Sequence, residues 1–309
     1  MFFISKHLNM KEIAIKTQCS RPFIIFLIFL LSSIPGIAQV IYVDANAGSG
    51  GDGSSWVSAY TTVYDALAAS NQGDTIWVAA GTYYPELNAI PRLSTFTIDK
   101  IIALFGGFDG SETLLSQRDY TNNETILSGD IGVQGDSTDN TYHVISFEPS
   151  NTDTATVDGF TIQHGNAAPS GGTDVQRGGA VWMVGKENIT IANCTFRNNT
   201  ALDNGGAIFM AYCENILISN CSFYKNKQGP TTGDDYGGGA ITSINQHSAI
   251  LIDSCLFEEN TATGNGGAIY GDSWEYITNS QFINNSGLDG YSSGGAVYKP
   301  GNISNCLFK

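Results

Sequence analysis

The sequence predicts an all-β fold, a single-stranded parallel β-helix solenoid with a short N-terminal capping helix. The first observation behind this prediction is a repeat. Gly-Gly-Ala followed by Ile or Val occurs five times, beginning at Gly178, Gly205, Gly238, Gly266 and Gly294. These positions lie 27 to 33 residues apart. That period is typical of solenoids and is shorter than the about 40 residues of a propeller blade.

The second observation is the spacing of apolar residues within a repeat. Ile189 and Ile191 are two residues apart, as are Cys194 and Phe196. A period of two indicates strands rather than helices. No repeat contains the ten or more residues of helical pattern that an armadillo or leucine-rich repeat requires. The remaining interpretation is that each repeat consists of short strands, which stack on those of the next repeat.

The third observation is a second shared element, an aromatic residue followed three positions later by Asn. It occurs at Phe196-Asn199, Phe223-Asn226, Phe257-Asn260 and Phe282-Asn285, preceded by Cys194, Cys221, Cys255 and Ser280. Stacking places equivalent residues about 4.8 Å apart, so each position forms a ladder. We expect the Phe and Cys ladders inside the solenoid, with reduced cysteines, because parallel Cβ vectors suit a disulfide poorly.

Asparagines between the strands mark the corners of the coils. They stand at Asn193, Asn220, Asn279 and Asn305. Asn tolerates the left-handed backbone conformation that a sharp corner requires.

Residues 1–38 are predicted to be a signal peptide. Basic residues precede an apolar run from Phe23 to Leu31, and Pro35-Gly36-Ile37-Ala38 forms a small-residue cleavage site. The run is shorter than the about 20 residues of a spanning helix, so we expect no transmembrane helix. The predicted location is secreted, or the cell surface and outer membrane.

Residues 39–177 are predicted to form the N-terminal cap and the first coils. Strands are predicted at Val40–Val43, Thr75–Val78, Ile101–Phe105, Thr125–Leu127, His143–Phe147 and Thr156–Ile162. Thr62 and Asp65 form a capping box for a helix that ends at Ala69. We expect this helix to cover the open first coil, whose unpaired edges would otherwise recruit other chains. Residues 178–309 form the repeat coils.

The charge balance excludes one class of partner. The net charge is −15 at pH 7, so nucleic acid is not expected. No cofactor is predicted, although acidic loops leave calcium possible. The candidate ligands are Asp44, Asn46 and Asp52, and further along Asp130, Asp136 and Asp139, and neither set has the spacing of an EF-hand loop.

Several motifs carry a family resemblance that covers about residues 40–309. Tyr42-Val43-Asp44, Gly51–Trp56, Gly73–Val78 and Gly106-Gly107-Phe108 resemble the start of right-handed parallel β-helix proteins of pectate-lyase-like fold that Bacteroidetes-type bacteria export. The Gly-Gly-Ala and Phe-x-x-Asn elements resemble the repeats of polymorphic outer-membrane proteins. The resemblance implies an exported protein with an adhesive or carbohydrate-related role, whose partner is a polysaccharide or the surface of a host or neighbouring cell.

The sequence stops at Lys309, where the resemblance implies further coils. We therefore expect a C-terminal truncation, with any outer-membrane anchor or sorting signal in the missing region.

An enzyme remains the alternative, either a polysaccharide lyase or a glycoside hydrolase. Alignment on the Phe ladder places Arg197 and Glu258 in one column, and Lys225 and Glu259 in the next. A lyase of this fold requires carboxylates that hold calcium and a basic residue beside them. Exposed ion pairs are the simpler interpretation of the same four residues.

A column of aromatic residues is the candidate ligand-binding surface. It consists of Trp182, Phe209, Tyr270 and Tyr298, each directly after a Gly-Gly-Ala-(Ile/Val) element. If the preceding Ile and Val point inward, alternation directs these rings outward, where they could stack on sugars. If the rings point inward, they belong to the core. A non-catalytic binding protein, an enzyme and a structural stalk for a missing domain therefore all remain open.

Overall fold

The computed structural model describes residues 38–148, 154–168, 174–230, 237–246, 248–272, 274–287 and 294–309. These residues form a parallel β-helix, as predicted, and strands of successive coils pair in parallel and in register. The predicted signal peptide, apart from Ala38, lies outside the described residues. Within the described part, no helix has the length and apolar character needed to cross a membrane.

Each full coil passes in turn through four sheets, numbered here in the order the chain meets them. Sheet 1 consists of β1 (Val40–Val43), β2 (Thr75–Ala79), β5 (Ala103–Phe108), β8 (Ala155–Asp158), β12 (Ile189–Ala192), β16 (Ile216–Ser219), β20 (Ile250–Asp253), β24 (Glu275–Thr278) and β28 (Asn302–Ser304). Sheet 2 consists of β3 (Gly81–Tyr83), β6 (Thr125–Ser128), β9 (Thr161–Gln163), β13 (Thr195–Arg197), β17 (Ser222–Tyr224), β21 (Leu256–Glu258), β25 (Gln281–Ile283) and β29 (Leu307–Phe308).

Two further sheets complete the coil. Sheet 3 contains the short strands β10 (Asn166–Ala167), β14 (Thr200–Ala201), β18 (Lys227–Gln228), β22 (Thr261–Ala262) and β26 (Ser286–Gly287). Sheet 4 contains β4 (Phe96–Ile98), β7 (Ile145–Phe147), β11 (Val181–Val184), β15 (Ile208–Ala211), β19 (Ile241–Ile244), β23 (Ile269–Tyr270) and β27 (Val297–Tyr298). Short 3-10 helices span Trp56–Ser58, Pro91–Leu93, Leu115–Gln117 and Asp174–Gln176.

The interior is built from ladders of identical side chains. Phe196, Phe223, Phe257 and Phe282 stack face to face, with ring centroids 4.7–4.8 Å apart, as the repeat predicts. Cys194, Cys221 and Cys255 form a second buried ladder, and their thiols are free. Burial raises the pKa of the Cys221 thiol well above its usual range, so the ladder is a packing element.

A third ladder consists of buried asparagine amides. The Asn199 Nδ2 group donates to Oδ1 of Asn226 at 3.0 Å, and Asn226 donates in turn to Asn260 at 3.0 Å. The same oxygens accept the backbone N–H of the preceding Asn. The ladder thus satisfies buried amide groups from coil to coil.

Helix α1 (Val63–Ala69) confirms the predicted cap. Thr62 is its N-cap, and its hydroxyl accepts the Asp65 N–H at 3.1 Å. Val63, Ala66 and Leu67 are buried against the same apolar core as β1 and β2. The helix therefore covers the N-terminal end of the core, where the first coil has no preceding neighbour.

The predicted corners are also confirmed. Asn193, Asn220, Asn279 and Asn305 all have φ between 50° and 52°. This left-handed conformation is one that Asn adopts more readily than most residues.

Several predicted strand bounds were wrong. The stretch Thr156–Ile162 is two strands, β8 and β9, because Gly159 at φ 84° turns the chain between sheets 1 and 2. The predicted Ile101–Phe105 strand begins later, at Ala103, and runs on to Phe108. Strands β3 and β4 were not predicted, since their three-residue segments carry no repeated motif.

Candidate functional site

A groove of about 530 Å³ runs along the corner between sheets 1 and 2. It crosses successive coils, so its long direction follows the stacking direction of the strands. The wall formed by sheet 2 consists of outward-facing residues that pair in register on successive strands: Thr161, Thr195, Ser222, Leu256 and Gln281. These positions face the groove because the residues that follow them, Ile162 and the Phe ladder, face the core.

The other wall is the row of corner residues. Asn193, Asn220, Ser254 and Asn279 line the groove, and all four have positive φ. Asn220 Nδ2 donates to Oδ1 of Asn193 at 2.6 Å, and Asn193 Nδ2 donates to Oδ1 of Asp158 at 2.8 Å. The amides are therefore aligned with one another along the groove.

A second carboxylate anchors the other half of this row. Asp253 Oδ1 accepts from the Thr278 hydroxyl at 2.5 Å and from Asn279 Nδ2 at 2.7 Å. The hydrogen bond from Thr278, followed by that from Asn279, lowers the pKa of Asp253. Asp253 therefore stays ionised and holds the Asn279 side chain in place at neutral pH.

An aromatic ring closes the N-terminal end of the groove. Tyr120 lines the groove and is 38% exposed. The Arg118 guanidinium lies 5.5 Å from the Tyr120 ring centroid and forms a 2.8 Å ion pair with Asp158. Both charged side chains are nearly buried. Arg118 thus links the ring to the carboxylate that anchors the Asn row.

The groove lining is almost uncharged. Among the described residues that line it, Glu124 is the one with a charged side chain. Glu124 lies 3.2 Å from Arg197 Nη1 and accepts a 2.8 Å hydrogen bond from Thr161. The remaining polar lining groups are amides, hydroxyls and backbone atoms, which suit hydrogen bonds to sugar hydroxyls.

The four catalytic candidates align as predicted but lie outside the groove lining. Strand pairing places Arg197 in register with Tyr224 and Tyr224 with Glu258. Lys225 and Glu259 both have positive φ in the next corner, with Lys225 Nζ 3.4 Å from Glu259 Oε2. Hydrogen bonding to Tyr224, and then the Glu259 charge, raise the pKa of Lys225, so at neutral pH its amine is protonated and is not available as a general base.

The aromatic column is divided into covered and partly exposed rings. Val181, Ile208 and Ile269 belong to the core, so the following aromatic residues point away from it. Phe209 and Tyr270 are nevertheless 1% and 4% exposed. Of the two alternatives left open by the sequence, the open outward stripe therefore does not form at these two positions.

Contacts with neighbouring side chains limit the exposure of the rings in this column. The Arg177 guanidinium lies 5.2 Å from the Phe209 ring centroid. Trp182, which is partly exposed, stacks against His143, with centroids 6.2 Å apart. The centroids of Tyr270 and Tyr298 lie 5.3 Å apart. At most the two end rings, Trp182 and Tyr298, are accessible to a ligand.

The candidate calcium-binding carboxylates accept hydrogen bonds from groups of their own loops. Asp136 accepts hydrogen bonds from the Thr138 N–H and hydroxyl, and Asp139 Oδ2 accepts from Val133 N–H. Asp44 and Asp52 likewise cap the turns at Asn46 and Ser54. The described residues bring together no group of three His, Cys, Asp or Glu side chains around a metal position.

Sequence reasoning did not find the groove or the residues at its end. Arg118 and Asp158 are 40 residues apart in sequence, and their 2.8 Å contact depends on which coils become neighbours. The one available signal was the corner asparagines, which were predicted as turns and not as a groove wall.

Comparisons with known proteins agree with this architecture. A family model described as "Right handed beta helix region" matches residues 137–308. Among solved structures, pectate lyase Pel9A is similar with a TM-score of 0.50 and 17% identity, over 84% of this chain and 58% of that chain. The pectin methylesterase from Aspergillus niger in deglycosylated form gives a TM-score of 0.39 and 15% identity, over 90% and 87%. A comparison with curated protein sequences gives no match.

The right-handed β-helix fold is thereby confirmed. The chain spans less than two thirds of the length of pectate lyase Pel9A. At this level of identity the likeness concerns the fold alone.

Proposed function

Since the chain belongs to the right-handed β-helix family, we propose that it is a non-catalytic binding protein that holds a neutral polysaccharide along the groove between sheets 1 and 2. The observation that carries this proposal is the pairing of shape and chemistry in the groove. It is elongated, it crosses several coils, and its walls present amides and hydroxyls at each step.

The spacing of the groove supports an extended sugar chain. Neighbouring coils are about 4.8 Å apart, which is comparable to the length of one sugar residue in an extended polysaccharide. Thr195 and Ser222 lie in register on adjacent coils, as do Asn193 and Asn220 on the facing wall. Sugar residues on these two coils could therefore meet similar partners.

Charge favours neutral over acidic polysaccharides. The chain has a net charge of −15, and Glu124 is the charged residue among the described groove-lining residues. A polyuronate would be repelled at long range and would find no free cationic group among the described residues of the lining. Neutral sugars face no such barrier.

The end of the groove supplies a stacking surface. Tyr120 is partly exposed there, and Arg118 lies against its ring. An aromatic ring combines an apolar face with a polar edge, which suits the apolar face of a sugar ring. Tyr120 would therefore bind the terminal or penultimate sugar of a bound segment.

The proposal extends to location. The basic and apolar leader in residues 1–38 supports export, and the Gly-Gly-Ala and Phe-x-x-Asn repeats support a surface protein of the polymorphic outer-membrane type with an adhesin-like role. The polysaccharide would then belong to the surrounding matrix or to another cell surface.

The test compares groove-filling variants with a matched control. Thr195→Leu/Ser222→Leu adds apolar bulk to the groove wall, and the fold accepts Leu there because Leu256 occupies the next register position. Thr190→Leu makes the same change on the outer face of sheet 1, where Leu217 is the in-register neighbour. Thr190 is not a groove-lining residue.

The purified proteins are titrated by calorimetry with neutral and acidic polysaccharides chosen from an array screen. We expect binding to a neutral polysaccharide, at least a tenfold loss of affinity in the groove variant and no change in Thr190→Leu. Equal affinity of all three proteins would place the binding site elsewhere. Sugar cleavage by the wild-type protein would contradict the non-catalytic assignment.

A further inference from the structure

A second cavity, of about 210 Å³, lies beside the loop that follows β6 and the turn after β9. Asp130, Asn140, His164 and Asn166 are among its lining residues. It is separate from the groove, with which it shares no lining residue.

Two amide oxygens in this cavity have no partner among the described residues. Asn140 is 5% exposed, and its Nδ2 donates to the His164 carbonyl at 2.7 Å. Asn166 Nδ2 donates to the Ser137 carbonyl at 2.6 Å. The Oδ1 atoms of both residues are buried without a hydrogen bond. Buried polar atoms normally have a partner, so this pair indicates an additional bound group.

The amide orientations are fixed by their surroundings. Rotating either amide by half a turn would direct its oxygen at the carbonyl of His164 or Ser137, and two acceptors would then face each other. The unsatisfied atoms are therefore oxygens, and the group they lack must be a donor or a cation.

The cavity is also lined by a carboxylate, that of Asp130, and an imidazole, that of His164. The Asp130 side chain is 11% exposed, and both of its oxygens accept the Gly135 N–H at 3.1 Å, which leaves further lone pairs on each oxygen. His164 Nδ1 lies 4.0 Å from Asp130 Oδ2, which is too far for a hydrogen bond. Nδ1 is also buried without a partner.

We propose that this cavity binds a hard divalent cation through the Asp130 carboxylate and the Asn140 and Asn166 amide oxygens. Carboxylate and amide oxygens are ligands that Ca²⁺ accepts, with water in the remaining positions. Mn²⁺ also accepts these oxygens, and an imidazole nitrogen such as His164 Nδ1 suits metals that tolerate nitrogen ligands. The site differs from the predicted Asp130, Asp136 and Asp139 set, of which Asp130 alone lines the cavity.

The experiment is a calorimetric titration of the purified, EDTA-dialysed protein with Ca²⁺ and, separately, with Mn²⁺. We expect saturable binding of one ion per chain, with a Kd on the order of 0.1–1 mM, as in extracellular calcium modules. Tighter binding of Ca²⁺ would indicate an all-oxygen site. Tighter binding of Mn²⁺ that is lost in His164→Phe would add the imidazole as a ligand.

The decisive variant is Asp130→Asn, which keeps the side-chain shape and removes the charge. We expect at least a tenfold weaker Kd. The matched control is Asp136→Asn, which removes an exposed carboxylate from the same loop that does not line the cavity, and there the Kd should not change. Circular dichroism checks the fold, and Asn166→Ser provides a second test should Asp130→Asn not fold.

No saturable binding of either ion by the folded wild-type protein would overturn the proposal and leave ordered water as the partner of these oxygens. Unchanged affinity in Asp130→Asn would overturn it as well. Because the groove contains none of these residues, failure here leaves the polysaccharide proposal standing.

Discussion

Glu275 occupies a position in the interior that the preceding coils fill with isoleucine. It pairs in register with Ile250, which pairs with Ile216. Its side chain is fully buried, and Oε2 has no hydrogen-bond partner among the described residues. Burial raises the pKa of Glu275 above its usual 4.5. This carboxyl group therefore makes folding dependent on pH.

The sign of that dependence follows from proton binding. Between pH 4.5 and the raised value, the folded state holds a proton that the unfolded state has released. The contribution of Glu275 to stability is therefore present below pH 4.5 and is lost as the pH rises through the raised pKa.

We predict that Glu275→Gln stabilises the protein at neutral pH and has little effect at pH 4. Urea unfolding of both proteins across this range measures it, since other titrating groups cancel in the difference. Parallel pH profiles for the wild type and the variant would show that Glu275 is not the group responsible.

The buried Asn ladder leads to a second prediction at the residue scale. Asn226→Ala should destabilise the protein by about 3 kcal/mol, because the Asn199 amide donors and the Phe196 carbonyl lose their partner and each buried orphan costs about 1–3 kcal/mol. The control Asn220→Gly removes an exposed corner amide and keeps the backbone conformation. Chemical denaturation should show a clearly smaller loss for the control.

At the element scale, the sequence predicted best where a local signal acts alone. Helix α1 is correct because its N-cap and buried face lie within eight residues. Strands β8 and β9 were predicted as one strand, because a single glycine within a strand-like stretch does not by itself show that the chain turns there. The structure shows that it does, at Gly159. The groove wall requires Asn193 and Asn220 to be neighbours, and such contacts between coils depend on the exact strand register.

Helix α1 also carries a prediction. Ala66→Asp places a carboxylate without a partner into the core beneath the cap, and should cost about 3 kcal/mol or more. Tyr64→Asp is the control on the exposed face of the same helix. Light scattering and thermal unfolding should show association or loss of stability for Ala66→Asp only. Equal behaviour of the two variants would mean that α1 does not protect the first coil.

At the scale of the whole molecule, stability is distributed along the stack of coils, because each coil contacts only its neighbours. The Phe ladder runs through this stack with nearly parallel rings. A break in the ladder should therefore weaken both neighbouring interfaces.

Phe257→Ala tests this in the centre of the repeats. We predict a loss of about 3–5 kcal/mol, since the side chain is fully buried between two stacked rings. Leu251→Ala, on the exposed face of the same coil, should change stability by about 0.5 kcal/mol or less. Denaturant midpoints of both variants against the wild type measure the difference. Similar midpoints would show that the Phe ladder does not stabilise the interfaces between neighbouring coils.

The central claim is that an extended neutral polysaccharide lies along the groove, and its most direct test is affinity as a function of ligand length. Calorimetry with a series of neutral oligosaccharides of increasing length gives this relation. The groove wall has five register positions, from Thr161 to Gln281, so affinity should rise with each added sugar and level off at about five sugars, one per coil at about 4.8 Å. An affinity independent of length, or absent for every neutral series, would contradict the account.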